Sequence, residues 1–229
     1  MYADTLPLSA ELRAAHEAAL TTIARPGPSW TGAERRSMVE SARAATGCSL
    51  CAARKAALSP GHVTGEHDDP TDLPGVVADA IHRIRTDPGR LTRSWFDEVT
   101  AAIGPAAYVE LVSVVNTSVI MDTLHAALDQ PLPALPQAEA GEPTGAATGD
   151  VVHEGAWVPI TRAPRDMADT GLPAVPNILR AMGLVPDAVA LFFSTFRPHY
   201  ALKDIHLSIS QTQAELVASR VSAWNECFY

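Results

Sequence analysis

Residues 105–129, PAAYVELVSVVNTSVIMDTLHAALD, carry the longest helical signal in the chain and are apolar on most faces. A helix with so little polar surface has to be covered on nearly all sides, so it belongs at the centre of the fold. The rest of the chain offers helices to cover it. Residues 8–24 read as an amphipathic helix with Ser9 as its cap. The segment RPGPSW ends that helix, because closely spaced prolines and a glycine cannot continue one. Thr31-Gly-Ala-Glu34 has the capping-box pattern and opens a helix to about Ala45, where Thr46-Gly47 reads as the stop. Cys48 then begins a short helix through about Leu58, and residues 74–86 and 90–103 read as two more, divided by Asp87-Pro88-Gly89. Residues 175–184 and 186–196 follow, and Ser210-Gln-Thr-Gln213 repeats the capping-box pattern ahead of a last helix toward Trp224. Aromatics are only 6% of the chain, alanine is abundant, and β-branched residues seldom alternate with polar ones. The predicted fold class is all-α.

Residues 131–155, PLPALPQAEAGEPTGAATGDVVHEG, are rich in proline, glycine and alanine and hold no aromatic residue. They read as a linker between an N-terminal unit (1–130) and a C-terminal unit (156–229), with both packed around the 105–129 helix. The net charge of −9, with basic residues scattered, argues against nucleic-acid binding. No uninterrupted apolar run reaches the ~20 residues of a membrane span. The opening MYADTLPLSAEL has neither the basic nor the apolar region of a signal peptide. The expected location is therefore cytoplasmic, where three cysteines serve as reactive, metal-binding or inert thiols rather than as a disulfide framework.

Two of those cysteines share a spacing. Thr31 lies 17 residues before Cys48, and Ser210 lies 17 residues before Cys227. Each half thus runs through an apolar helix, a proline-containing connector, a capping box, a helix and a cysteine, which reads as a duplicated helical unit. Residues 48–51, Cys-Ser-Leu-Cys, form a complete Cys-x-x-Cys motif. At a helix start, such a pair lies on one face about a turn apart. The unpaired amides and the dipole favour a thiolate on the first cysteine, and the second is in reach to resolve a sulfenic acid or mixed disulfide. A carboxylate and an imidazole nearby would move the protons.

Glu215, eleven residues, then Cys227 reproduces the opening of Glu-x11-Cys-x-x-Cys-x3-His. On that basis the chain resembles the alkylhydroperoxidase D-like / carboxymuconolactone decarboxylase superfamily, with 105–129 similar to its long central helix. The resemblance implies an all-α oligomer, a homotrimer or a dimer. It also implies a thiol-dependent oxidoreductase that reduces hydroperoxides or disulfides, is re-reduced by a dithiol partner, and needs no metal or organic cofactor. Carried over residue by residue, it makes Cys227 the redox centre and Glu215 its base or relay. The chain stops before the second redox residue and the histidine, so the natural chain is expected to continue past Tyr229 with selenocysteine or cysteine, then a histidine. In the N-terminal half Cys48 and Cys51 match, but Arg36 stands at the glutamate position and Lys55 at the histidine position. That pair is a secondary redox candidate. Arg36, Arg54 and Lys55 could lower a thiol pKa by their charge, and two small buried apolar residues at a helix start fit the same letters.

His125, on the central helix, is a third catalytic candidate as a proton relay. Paired with Asp122 it would equally be a buried structural histidine. Glu110, Asp122 and Asn116 read as a polar seam. His62, Glu66, His67, Asp68 and Asp69 cluster within eight residues, yet they sit in a loop with no two ligands on one helical face. A solvated acidic loop is the expectation there, and no metal site is assigned. His199 and Tyr200 read as connector surface. Two other functions fit the helical fold. One is a non-redox enzyme of the decarboxylase type, acting through His125, His199 or His206. The other is a catalytically silent scaffold.

Overall fold

The computed structural model describes residues 1–162, 177–199 and 208–224. Nine α-helices stand among them. They are α1 (Ala10–Ile23), α2 (Gly32–Ala44), α3 (Ser49–Ala56), α4 (Gly75–Thr86), α5 (Arg93–Ile103), α6 (Pro105–Ala127), α7 (Asn177–Met182), α8 (Pro186–Phe196) and α9 (Gln211–Trp224). The only sheet among the described residues is a two-stranded antiparallel one, β1 (Val151–Val152) and β2 (Ile160–Thr161), with Val151 opposite Thr161. The fold is all-α.

The caps sit where the sequence puts them. The Ser9 hydroxyl accepts from the Leu12 amide, and Thr31 and Glu34 complete a reciprocal capping box at the head of α2. Ser210 and Gln213 do the same for α9, with amide-to-side-chain distances of 2.9 and 3.3 Å.

α6 is central. It packs against α1, α2, α4, α5, α7 and α8, and its Leu111, Val114, Val115 and Met121 are wholly buried. Met38 and Val39 of α2, Val77 and Ile81 of α4, Trp95 and Phe96 of α5, and Leu191 of α8 complete one core with it. Two side chains pin this packing by hydrogen bonds. Trp30 Nε1 donates to the Ala107 carbonyl at 3.0 Å, and Ser113 Oγ donates to the Ala188 carbonyl at 2.8 Å. By length and composition α6 also qualifies as a membrane span, which the broken apolar runs of its sequence had discounted; 56% of its most apolar stretch is buried within the bundle.

Residues 131–155 do not behave as a free linker. The Glu139 amide donates to the Ala24 carbonyl, Thr144 to Gly27, Gly145 to Pro28 and Thr148 to Leu184, all within 3.0 Å. The segment is a strap across the α1–α2 corner. That corner also holds a buried ion pair, Arg35 with Glu110, whose second carboxylate oxygen accepts from the Ser29 amide at 2.6 Å. A Cβ on Gly27 would collide with the Glu110 carboxylate, so the corner requires a glycine there.

α9 starts like α2 but is buried differently. Ala214 is covered, whereas Leu216, Val217 and Val221 are 62%, 57% and 54% exposed. The shared capping box therefore does not extend to a shared packing role.

Ile81 is fully buried on α4, next to His82. Ile81→Ala is expected to cost about 2–5 kcal/mol through lost contacts and the cavity left behind. Urea unfolding should show a lower midpoint with an unchanged slope.

Candidate functional site

The Cys-x-x-Cys opens α3 as expected. Cys48 is the N-cap residue, with extended backbone (φ −70°, ψ 127°), and its own side chain makes no cap bond. Asp68 caps the helix from outside instead, its Oδ2 accepting from both the amide and the hydroxyl of Ser49 at 2.7 Å. The Cys48 sulfur is thereby released from capping duty and receives the Asp68 amide at 3.4 Å.

Two imidazoles close on the sulfurs. His67 Nδ1 stands 3.5 Å from Cys48 Sγ and 3.6 Å from Cys51 Sγ, and His82 Nδ1 stands 3.3 Å from Cys51 Sγ. Each ring is held from behind by a carboxylate. His67 Nε2 meets Asp79 Oδ1 at 3.1 Å, and His82 Nε2 meets Asp69 Oδ2 at 3.0 Å. On His82 an Nε2–H donated to Asp69 leaves the lone pair on Nδ1, the nitrogen facing sulfur, whereas His67 Nε2 meets both Asp79 and Arg54 Nη1, each at 3.1 Å.

The carboxylates are themselves fixed. Asp79 also accepts from Arg54 at 2.7 Å, Arg83 at 2.8 Å and Trp95 Nε1 at 3.0 Å. Burial works to raise its pKa, yet the hydrogen bonds from His67, Trp95 and Arg54 and the charge of Arg83 hold it down at about 2. Asp69 accepts from the Ser41 hydroxyl and from the amide and hydroxyl of Thr71, and these bonds likewise outweigh burial and lower its pKa. Burial lowers the pKa of His82, favouring the neutral ring, and pushes the Cys51 thiol up to about 11. A cavity of about 280 Å³ reaches this cluster, bounded by Thr46, Cys48, Cys51, Lys55, Arg85 and Thr86.

The segment 62–69 is thus only partly the solvated loop that its composition suggests. His62, Glu66 and Asp68 are exposed, but the His67 and Asp69 side chains turn inward, 8% and 9% exposed, because each has a partner in the bundle. Nothing in the letters pairs His82 with the cysteines, since it is a lone histidine on a helix. The one available signal was spacing. Fifteen residues separate Cys51 from His67, a gap found in Cys/His metal sites, but fourteen then separate His67 from His82, which no such pattern contains.

The other expected residues lie apart from this cluster. Cys227 falls outside the described residues, as do Tyr200 and His206. Glu215 is on α9, exposed, and accepts from Gln211 Nε2 at 2.7 Å. Of the basic residues near the motif, Arg36 pairs with Glu40, while Arg54 serves Asp79 and the Val63 carbonyl. Asp122 pairs with Arg43 through two 2.8 Å contacts rather than with His125. His125 is buried, its Nδ1 meeting the Pro131 carbonyl at 2.7 Å and its ring stacked on Tyr2 at 4.2 Å. Tyr2 in turn donates to His16 Nδ1 at 2.5 Å, and His16 Nε2 meets His199 Nε2 at 2.7 Å. His199 is therefore a partner of α1 rather than connector surface.

No protein-family model matches the chain, and neither any curated protein nor any solved structure shows significant similarity to it.

The His16–His199 contact has a pH consequence. Only one of the two facing nitrogens can carry hydrogen, so the bond cannot survive protonation of both rings. Burial, then the neighbouring His199 and His125, lower the His16 pKa from 6.5 to about 4. Between those values the unfolded chain binds the extra proton and the folded chain does not. Stability is fully present above pH 6.5 and drains as pH falls toward 4, by up to about 3 kcal/mol from this residue. Urea titrations from pH 7.5 to 4.5 should show that decline, and His16→Asn should make it shallower, with His82, His125 and His199, whose pKa values burial also lowers, supplying the rest.

Proposed function

We propose that the protein is a thiol-dependent oxidoreductase working through Cys48 and Cys51, with hydroperoxides or disulfides as substrates. The observation that carries this reading is the pair of carboxylate–imidazole–thiol chains, Asp79–His67–Cys48 and Asp69–His82–Cys51. They supply in the N-terminal half the proton handling that Arg36 and Lys55 cannot. The cavity at the two cysteines gives a small substrate access to them. Within this reading, the Glu215–Cys227 pair is no longer the main centre.

Cys48 is the attacking residue, because it sits at the head of α3 and receives the Asp68 amide. His67 takes its proton. The thiolate attacks the outer oxygen of the hydroperoxide, the O–O bond breaks, and sulfur becomes a sulfenic acid. The departing alkoxide leaves as an alcohol with the proton from His67. Cys51 then attacks the sulfenic sulfur, giving a disulfide, and its proton passes through His82 to the departing hydroxide, which leaves as water. A dithiol reductant restores both thiols. Asp79 and Asp69 do not touch substrate; they hold the ring tautomers that make each proton transfer possible.

Peroxide-dependent oxidation of a dithiol, followed by the loss of its thiols, tests this. Cys48→Ser and Cys51→Ser should fall to background, His82→Asn should lose about 100-fold or more, and Cys227→Ser should keep most of the rate. Turnover that survives Cys48→Ser, or that Cys227→Ser abolishes, would overturn the assignment.

A further inference from the structure

We infer that Cys48, Cys51, His67 and His82 form a four-coordinate Zn(II) site that the reduced protein can load. The inference shares its side chains with the redox reading but does not depend on it. The four donor atoms, two Sγ and two Nδ1, all lie within 4.8 Å of one another. Zinc bonds of about 2.3 Å to sulfur and 2.0–2.1 Å to nitrogen at the tetrahedral angle set the sulfur–nitrogen edge near 3.6 Å. Three of the four sulfur–nitrogen separations are 3.5, 3.6 and 3.3 Å, and the fourth lies within 4.8 Å. Pairwise S–H···N bonding explains this less well. Both sulfurs converge on His67 Nδ1, whose single lone pair can accept from only one of them, whereas a shared centre satisfies all the donors at once.

The surroundings fit the same ligand. Zinc-bound histidines donate their second ring nitrogen to a carboxylate or carbonyl, which orients the ring, and both rings here place that nitrogen beside a carboxylate, Asp79 at 3.1 Å and Asp69 at 3.0 Å. The donor set of two thiolates and two imidazoles suits zinc and excludes magnesium and calcium, which take oxygen. Two thiolates also cancel the charge of the cation, so the centre can be buried without a net charge. With four protein ligands no position is left open for water, which makes the site structural rather than hydrolytic. Its donors come from the head of α3, from the 63–74 loop and from α4, so bound metal fastens that loop to the bundle. Loading converts two neutral thiols to thiolates and releases two protons. In the loaded form both sulfurs are bound to the metal, so loading competes with attack on peroxide.

The test uses the full chain, reduced and stripped with a chelator, then titrated with Zn(II) and with Co(II) in the absence of oxidant. The expected result is one metal per chain, release of about two protons, and for cobalt the intense visible bands of a tetrahedral site with thiolate charge transfer in the near ultraviolet. Cys48→Ser and His82→Gln should each abolish the tetrahedral cobalt spectrum. Asp69→Asn, which keeps all four ligands, should weaken zinc about 10–100-fold. Cys227→Ser should bind like the parent. The inference is overturned if the reduced parent takes up neither metal, if bound cobalt keeps a pale octahedral spectrum, or if Cys227→Ser alone removes binding. Metal uptake without peroxide turnover would remove the redox reading and uphold this one, and turnover without uptake would do the reverse.

Discussion

One carboxylate organises the region where the chemistry sits. Asp79 on α4 takes hydrogen bonds from Arg54 on α3, Arg83 on its own helix, Trp95 on α5 and His67 in the loop between α3 and α4. Three helices and a loop meet at two oxygen atoms. A partly buried anion like this is tolerable because its lone pairs are filled by donors, two of them cationic. Loss of any one donor changes the balance for the others, so the position of His67 depends on residues that never approach a sulfur. Asp69 repeats the arrangement on a smaller scale, joining Ser41 of α2 and Thr71 to His82. The cysteines are the reactive atoms, but these two carboxylates decide where the rings beside them point.

The helical architecture was legible in the sequence because helix ends obey local chemistry. Ser9, the Thr31/Glu34 pair and the Ser210/Gln213 pair each satisfy orphan amides within three residues, and a pattern that short can be read without the fold. The centrality of α6 was legible for a related reason, since a helix apolar on most faces has few other places to be. Function was less accessible. The letters Glu215 and Cys227 drew attention to the C-terminal half, because a motif of fixed spacing is visible and a constellation assembled across α3, a loop and α4 is not.

Composition also misled in two places, each for a physical reason. The segment from His62 to Asp69 has the polarity of a solvated loop, and half of it is one. What composition cannot reveal is that a histidine and an aspartate within it have partners waiting inside. The 131–155 segment has the proline and glycine content of a linker. The same residues that deny it a helix leave its amides free to bond elsewhere, and it uses them on the carbonyls of Ala24, Gly27, Pro28 and Leu184.

That strap has a further consequence for how the molecule comes together. Its contact with the α1–α2 corner joins positions as far apart as Arg25 and Glu139, 114 residues along the chain. Closing so long a segment is slow unless the helices between have already condensed, because the entropy is spent before the contact repays it. The strap is therefore expected to dock after the helices between have packed. It has no regular secondary structure from 131 to 150, so its own hydrogen bonds to the helices are what keep it in place. Hydrogen-exchange protection along it is expected to concentrate at the amides of Glu139, Thr144, Gly145 and Thr148, which hold it to the helices.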